Sequence, residues 1–245
     1  MIAACCVWTI APARADGQSR RLCGVGRSLA TVPSSVAKDE DLELLEAWRA
    51  GDNTAGSRLL RRHFRTLFRF FRSKVSHGAE DLVQQTMLAC SESAHRFRGD
   101  SSFKTYLLAI ARTQLLMHLR KYARKGKKVD QLETSIADVM GSPSVAVAGK
   151  DEQKLVLTAL RHIPIDLQIA VELHYWEEMR IDDIAVVIGV PPGTVKSRLS
   201  RARKMVREWI LKAEQFPAAL RETTAGDIEN WAQSLRDRLV AGERT

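Results

Sequence analysis

Between Thr194 and Arg207 stand Lys196, Arg198, Arg201, Arg203, Lys204 and Arg207, with Ser197 among them and no acidic residue. Guanidinium, ammonium and hydroxyl groups in such a run pair with base edges and phosphates, so the chemistry on offer is nucleic-acid recognition. Val195, Leu199, Ala202 and Val206 recur in the same run at helical spacing and give it one apolar face. Immediately upstream, Ile181 to Ile188 predicts a first helix and Gly189 a tight turn, while Pro191-Pro192-Gly193-Thr194 opens the second helix. Ala185 is small where the two helices must cross. A helix with one apolar face and a basic remainder, held by a helix-turn-helix, suits the DNA major groove.

Two further basic clusters lie far from this one. Residues 52–74 carry Arg58, Arg61, Arg62, Arg65, Arg69, Arg72 and Lys74 against Asp52, and residues 96–128 carry ten Lys or Arg against Asp100 alone. The whole chain of 245 residues has a net charge of +9 at pH 7. Phosphate neutralisation by such clusters releases counterions, so binding should weaken steeply with salt.

Bond-making chemistry lacks its parts. Glu80-Asp81 and Asp182-Asp183 are adjacent pairs, and neighbours on a helix point to different sides, so neither can clasp a metal or share a proton. No Gly-rich phosphate cradle is present, the six histidines show no ligand spacing, and Cys5, Cys6, Cys23 and Cys90 form no CxxC pair. We expect no enzyme, no cofactor, no metal and a reducing, cytoplasmic setting. No run of 18 or more apolar residues exists, so no membrane span is predicted.

The elements that must position these groups are helical. Leu42, Leu45 and Trp48 predict a short helix ending at Gly51; Leu60, Phe64, Leu67, Phe68, Phe71 and Val75 predict a longer one after Asp52. Beyond Gly78 a third carries Leu82, Val83, Met87 and Cys90, and a fourth starts at the capping pair Ser101-Ser102 with Phe103, Leu107, Ile110 and Ala111. Residues 126–150 hold Gly126, Gly141, Pro143 and Gly149 without sustained periodicity and read as a linker. At ~3.3–3.6 Å per residue it could stretch to roughly 80 Å, about two turns of DNA, less if a short helix forms around Gln131 to Val139. The expected organisation is a leader over 1–38, a helical domain over 39–125, the linker, a helix-turn-helix domain over 151–214 and a tail over 215–245. In the tail, Ile228, Trp231, Leu235 and Leu239 mark a short amphipathic helix. In the leader, Cys5 arrives before any apolar run and no Lys or Arg precedes Arg14, so a secretion signal is not expected. A disordered leader, or a true start near Val25 to Val36, is expected instead.

Ala79-Glu-Asp-Leu-Val-Gln-Gln-Thr86, Arg96-Phe-Arg-Gly-Asp-Ser-Ser-Phe-Lys-Thr-Tyr-Leu108 and Ile110-Ala-Arg112 resemble region two of bacterial extracytoplasmic-function (ECF) RNA polymerase sigma factors. Leu160-Arg-His-Ile-Pro164 and the stretch from Gly189 to Arg203 resemble region four. The resemblance implies an all-α protein: a four-helix region-two bundle and a winged-helix-like, helix-turn-helix region-four domain, joined by a flexible linker. It implies core RNA polymerase as partner, gripped through its clamp helices and flap, together with promoter DNA and an anti-sigma factor.

Roles follow residue by residue from that resemblance. Asp81, Leu82, Gln84 and Gln85 would meet polymerase. Arg98, Ser101, Lys104, Tyr106, Arg112, Thr113, Arg120, Lys121 and Arg124 would read and melt the minus-ten element. Thr194, Lys196, Ser197, Arg198, Arg201, Arg203 and Lys204 would read the minus-thirty-five element. Gln85, Tyr106 and Thr113 stand where the family usually has Glu, Trp and Asn. Two readings stay open for Tyr106, a base-facing ring or a core-edge aromatic, and two for Arg112, a phosphate ligand or a partner of Asp81 or Asp100. A free-standing helix-turn-helix regulator is the competing function, but basic clusters in its first domain would repel across a symmetric dimer interface.

Overall fold

The computed structural model describes residues 34–75, 77–122, 134–137 and 151–227. The first helix, α1 (Ser34–Arg49), leads into α2 (Asn53–Arg72). Asp52 caps α2, its carboxylate accepting from the backbone N–H groups of Thr54 (2.8 Å) and Ala55 (3.1 Å), an arrangement typically worth ~1 kcal/mol. A Cβ on Gly56 would lie 2.5 Å from the Trp48 indole, so only glycine lets the two helices cross this closely.

Helix α2 buries Leu59, Leu67, Phe70 and Phe71 against α3 (Ala79–Ser93) and α4 (Phe103–Tyr122). Ser102 caps α4, its Oγ accepting from the Thr105 N–H at 3.1 Å. Leu82, Val83 and Cys90 of α3 and Leu107, Leu108, Ala111, Leu115 and Leu119 of α4 complete the first core.

The second module comprises α5 (Asp151–Arg161), α6 (Ile165–Tyr175), α7 (Ile181–Ile188), α8 (Pro192–Lys212) and α9 (Ala218–Gly226), the last lying on α8. Gly189 ends α7 in the left-handed region (φ 78, ψ 41), its N–H reaching the Ala185 carbonyl at 2.8 Å, and Pro192 starts α8 where a missing N–H costs nothing. The predicted helix-turn-helix is therefore formed. Among the described residues there is no β-strand, only an isolated bridge between Ser135 and Pro164, so no β-wing flanks it there.

Three findings differ from expectation. The two modules were expected to be joined by a flexible linker; among the described residues they fall in one compact unit in which α4 packs on α7. Nine consecutive residues of α6, from Ile165 to Leu173, are buried because its own module covers one side while its polar positions meet the first module on another. The connector is pinned at its middle: Ile136 is fully buried and the Thr134 carbonyl accepts the Ile165 N–H at 3.1 Å. In the tail, the structure adds α9 ahead of the predicted amphipathic segment. That segment (beyond Asp227), residues 1–33 of the leader and Arg124 lie outside the described residues, and leader residues 34–38 belong to α1.

Candidate nucleic-acid interface

Helix α8 divides as its sequence dictates. Val195, Leu199, Ala202, Val206 and Ile210 are buried, while Lys196, Ser197, Arg201, Lys204 and Arg207 are exposed. Thr194 and Arg203 are half-buried. Ser200, exposed between them, extends the same face and was not singled out from the sequence. Arg198 leaves the set: its guanidinium donates to Asp166 at 3.0 Å and its side chain is mostly buried.

The loop between α3 and α4 is held from beneath. Arg49 donates to the Ala94 carbonyl (2.8 Å) and to the Phe97 carbonyl, with its guanidinium also 5.9 Å from the Phe97 ring centroid. Phe97 packs edge-on against Phe103 (6.3 Å), and its ring is tilted against that of Tyr106 (5.0 Å). Gly99, at φ 83, turns the chain, leaving Arg98 and Asp100 exposed at the tip and Ser101 half-buried. Tyr106 settles as the core-edge aromatic: its hydroxyl donates inward to Ser93, 3.0 Å from the carbonyl and 2.6 Å from Oγ, and burial raises its pKa. Facing the Ser93 side of the loop base, it shapes the loop and offers no polar edge outward.

Along α4, the predicted basic groove is largely occupied. Lys104 pairs with Glu177 (2.7 Å), which Arg69 also grips (2.7 Å). Arg112 pairs with Asp166 (2.7 Å), neither Asp81 nor Asp100 being its partner here. Thr105 Oγ1 donates to Asp183 at 3.1 Å. Beyond this contact Thr113, Arg120 and Lys121 remain exposed, with Thr113 Oγ1 donating to its own helix at the Ala109 carbonyl.

The outer face of α3 presents Asp81, Gln84 and Gln85 to solvent. Leu82 does not belong with them, since it is 1% exposed and packs in the core. Its place is taken by Leu88, 62% exposed and three or four residues beyond Gln84 and Gln85, hence on the same face.

A sigma-70 region 2 model matches residues 57–125, and a sigma-70 region 4 model matches residues 153–206. The chain is 36% identical over 167 residues to the ECF RNA polymerase sigma factor SigM of Mycobacterium tuberculosis, covering 66% of this chain and 81% of that one. This chain belongs to the ECF RNA polymerase sigma factors. The ECF sigma-E factor of Haemophilus influenzae is 29% identical over 180 residues, covering 69% of this chain and 95% of its own. In fold, the chain resembles CnrH, solved in complex with the cytosolic domain of CnrY, with a TM-score of 0.52 and 21% identity over 71% of this chain and 99% of that one.

As an ECF sigma factor, the protein directs RNA polymerase to promoters to initiate transcription. No helix among its described residues is long and apolar enough to cross a membrane. The residues missed in this sigma factor's sequence are the acids that meet its cations, Asp166, Glu172 and Glu177, and Asp183, which accepts the Thr105 hydroxyl. A signal was present. Asp166, Gln168 and Glu172 interrupt the apolar run Ile165 to Leu173, and buried charges ask for partners.

Proposed function

We propose that the exposed face of α8, from Lys196 and Ser197 through Arg201 to Lys204, lies in the major groove of the minus-thirty-five element. The observation carrying this is the division of that helix: Lys196, Arg201, Lys204 and Arg207 stand on its open face, while Val195, Leu199, Val206 and Ile210 are buried. Thr194, at the helix start, and Arg203 flank the groove-facing row. The minus-ten element is read by the loop at exposed Arg98 and half-buried Ser101 and by α4 from Lys104 and Arg112 through Thr113 to Arg120 and Lys121. Asp81, Gln84, Gln85 and Leu88 on α3 form the polymerase contact. The protein acts in the cytoplasm as a non-enzymatic subunit, and an anti-sigma protein is a further expected partner.

Transcription reconstituted with core polymerase tests the assignment. Arg201→Ala and Lys204→Ala should each reduce promoter-specific initiation by about tenfold, a base contact relaxing preference at one position and a phosphate contact weakening all sequences alike. Full initiation by the double variant would remove α8 from the reading.

A further inference from the structure

The turn that begins the loop between α3 and α4 is held from two helices at once. Residues Ala94–Arg96 form a short 3₁₀ turn, closed by the Phe97 N–H on the Ala94 carbonyl at 3.3 Å. Arg49, from the last turn of α1, spans both ends of it. Its Nε and Nη2 donate to the Ala94 carbonyl (3.2 and 2.8 Å), and Nη2 donates also to the Phe97 carbonyl. The same guanidinium lies 5.9 Å from the Phe97 ring centroid. From α4, the Tyr106 hydroxyl donates to the Ser93 carbonyl at 3.0 Å, one residue before the turn. Arg49 is itself fixed at its root, because Gly51 at φ 106 ends α1 and Asp52 caps α2 directly after it. The exposed tip, Arg98 to Asp100, leaves straight from the clamped Phe97.

We infer that Arg49 is a positioning residue for promoter opening: acting from α1, it sets the pose of the loop tip that captures an unpaired minus-ten base. The inference rests on the reading of Arg98 and Ser101 as ligands of that element. A loop that must be ordered at the moment of binding loses affinity to the ordering, so a tip clamped beforehand holds a base more tightly. Arginine suits the task. Its planar fork reaches two carbonyls and lies against a ring at the same time, which a single ammonium cannot do. Arg49 stands before residue 57, where the region 2 match begins, so the clamp comes from a helix outside the matched stretch.

The test uses full-length protein with core polymerase, on a promoter mapped from this holoenzyme's own start sites. Fluorescence anisotropy follows binding to the unpaired non-template strand, beside the same strand made abasic at each minus-ten position in turn. Wild type should prefer the intact strand by about tenfold or more at the captured base. Arg49→Ala should lose most of that preference, while holoenzyme formation and binding to minus-thirty-five duplex stay unchanged. Arg49→Lys should lose it too, because one ammonium cannot span both carbonyls. Preference retained in Arg49→Ala overturns the inference. Retention in Arg49→Lys alone also overturns it, since a bare charge would then suffice. An equal loss on the minus-thirty-five duplex overturns it as well, because the damage would be to the whole fold.

The paired variant Arg98→Ala with Ser101→Ala tests the underlying reading of the loop. It should lose the same preference, and adding Arg49→Ala should cost nothing further, since residues acting through one another are not additive. Preference kept by the loop pair overturns the minus-ten reading and the inference with it. If the loop pair loses it and Arg49→Ala keeps it, the reading stands and the inference alone falls. A further loss on combining all three substitutions also overturns the inference, because Arg49 would then act independently of the loop. Salt titration separates clamp from ligand: Arg49→Ala should leave the salt slope as in wild type, and a slope reduced by about 1 would make Arg49 a phosphate contact and overturn the inference.

Discussion

Replacing Glu172 by Ala should cost far more than an ordinary ion pair. Lys74 is 0% exposed, and its ammonium donates to the Phe70 carbonyl (2.7 Å), to Ser73 Oγ (3.1 Å) and to Glu172, with the Phe70 ring centroid 3.9 Å away. Glu172 in turn accepts from Ser73 Oγ (3.0 Å) and Gln168 Nε2 (2.8 Å). Removing the carboxylate strands a desolvated cation, for which about 3–5 kcal/mol is typical. An exposed pair would cost ~0–1 kcal/mol. Burial already pulls the Lys74 pKa below 10.5, while Glu172 pushes it back up. Without Glu172 the folded-state pKa falls further, so the unfolded chain binds more protons than the folded one. Stability of the variant must then rise with pH through the interval below 10.5, and its deficit against wild type must shrink. Replacing both partners, Lys74→Met with Glu172→Leu, should recover most of the loss because no charge remains buried. Urea unfolding followed by helical circular dichroism, at neutral pH and again near the lysine range, measures all three. A single-variant loss under about 1 kcal/mol at neutral pH would refute the reasoning, as would a loss that alkaline pH leaves unchanged.

Gly56→Ala drives a methyl group into the Trp48 indole, so we expect a loss of about 1–3 kcal/mol in the same unfolding assay, with α1 displaced from α2. Leu88 is mostly exposed, so Leu88→Asp should leave stability within about 0.5 kcal/mol, yet weaken core-polymerase binding in a pull-down by tenfold or more, about 1.4 kcal/mol. The Cys90 thiol, pushed up to about 12 by burial, should resist alkylation at neutral pH until the chain unfolds, as site-resolved mass spectrometry would show.

Most of the helical frame was legible because it rests on local signals. Asp52, Ser102, Gly189 and Pro192 punctuate the helices where their side chains or backbone conformations require. The α8 face was legible for the same reason, since one helix carries both its buried and its exposed positions. Leu82 was misassigned because a motif match covers a whole stretch of α3, whereas helical geometry turns adjacent residues to opposite sides. Leu82 points inward while Gln84, Gln85 and Leu88 point outward. Tyr106 was ambiguous because its hydroxyl could face a base or a backbone carbonyl, and only the placement of Ser93 decides.

The contact between modules was illegible for a different reason. Arg112 and its partner Asp166 are 54 residues apart, and Arg69 and Glu177 are 108 apart. No period or spacing links such pairs, so the basic groove on α4 looked unopposed. Charge in a sequence states what a surface can attract without stating what reaches it first. Here the nearest anions belong to the chain itself: Glu177 meets Arg69 and Lys104, and Asp166 meets Arg112.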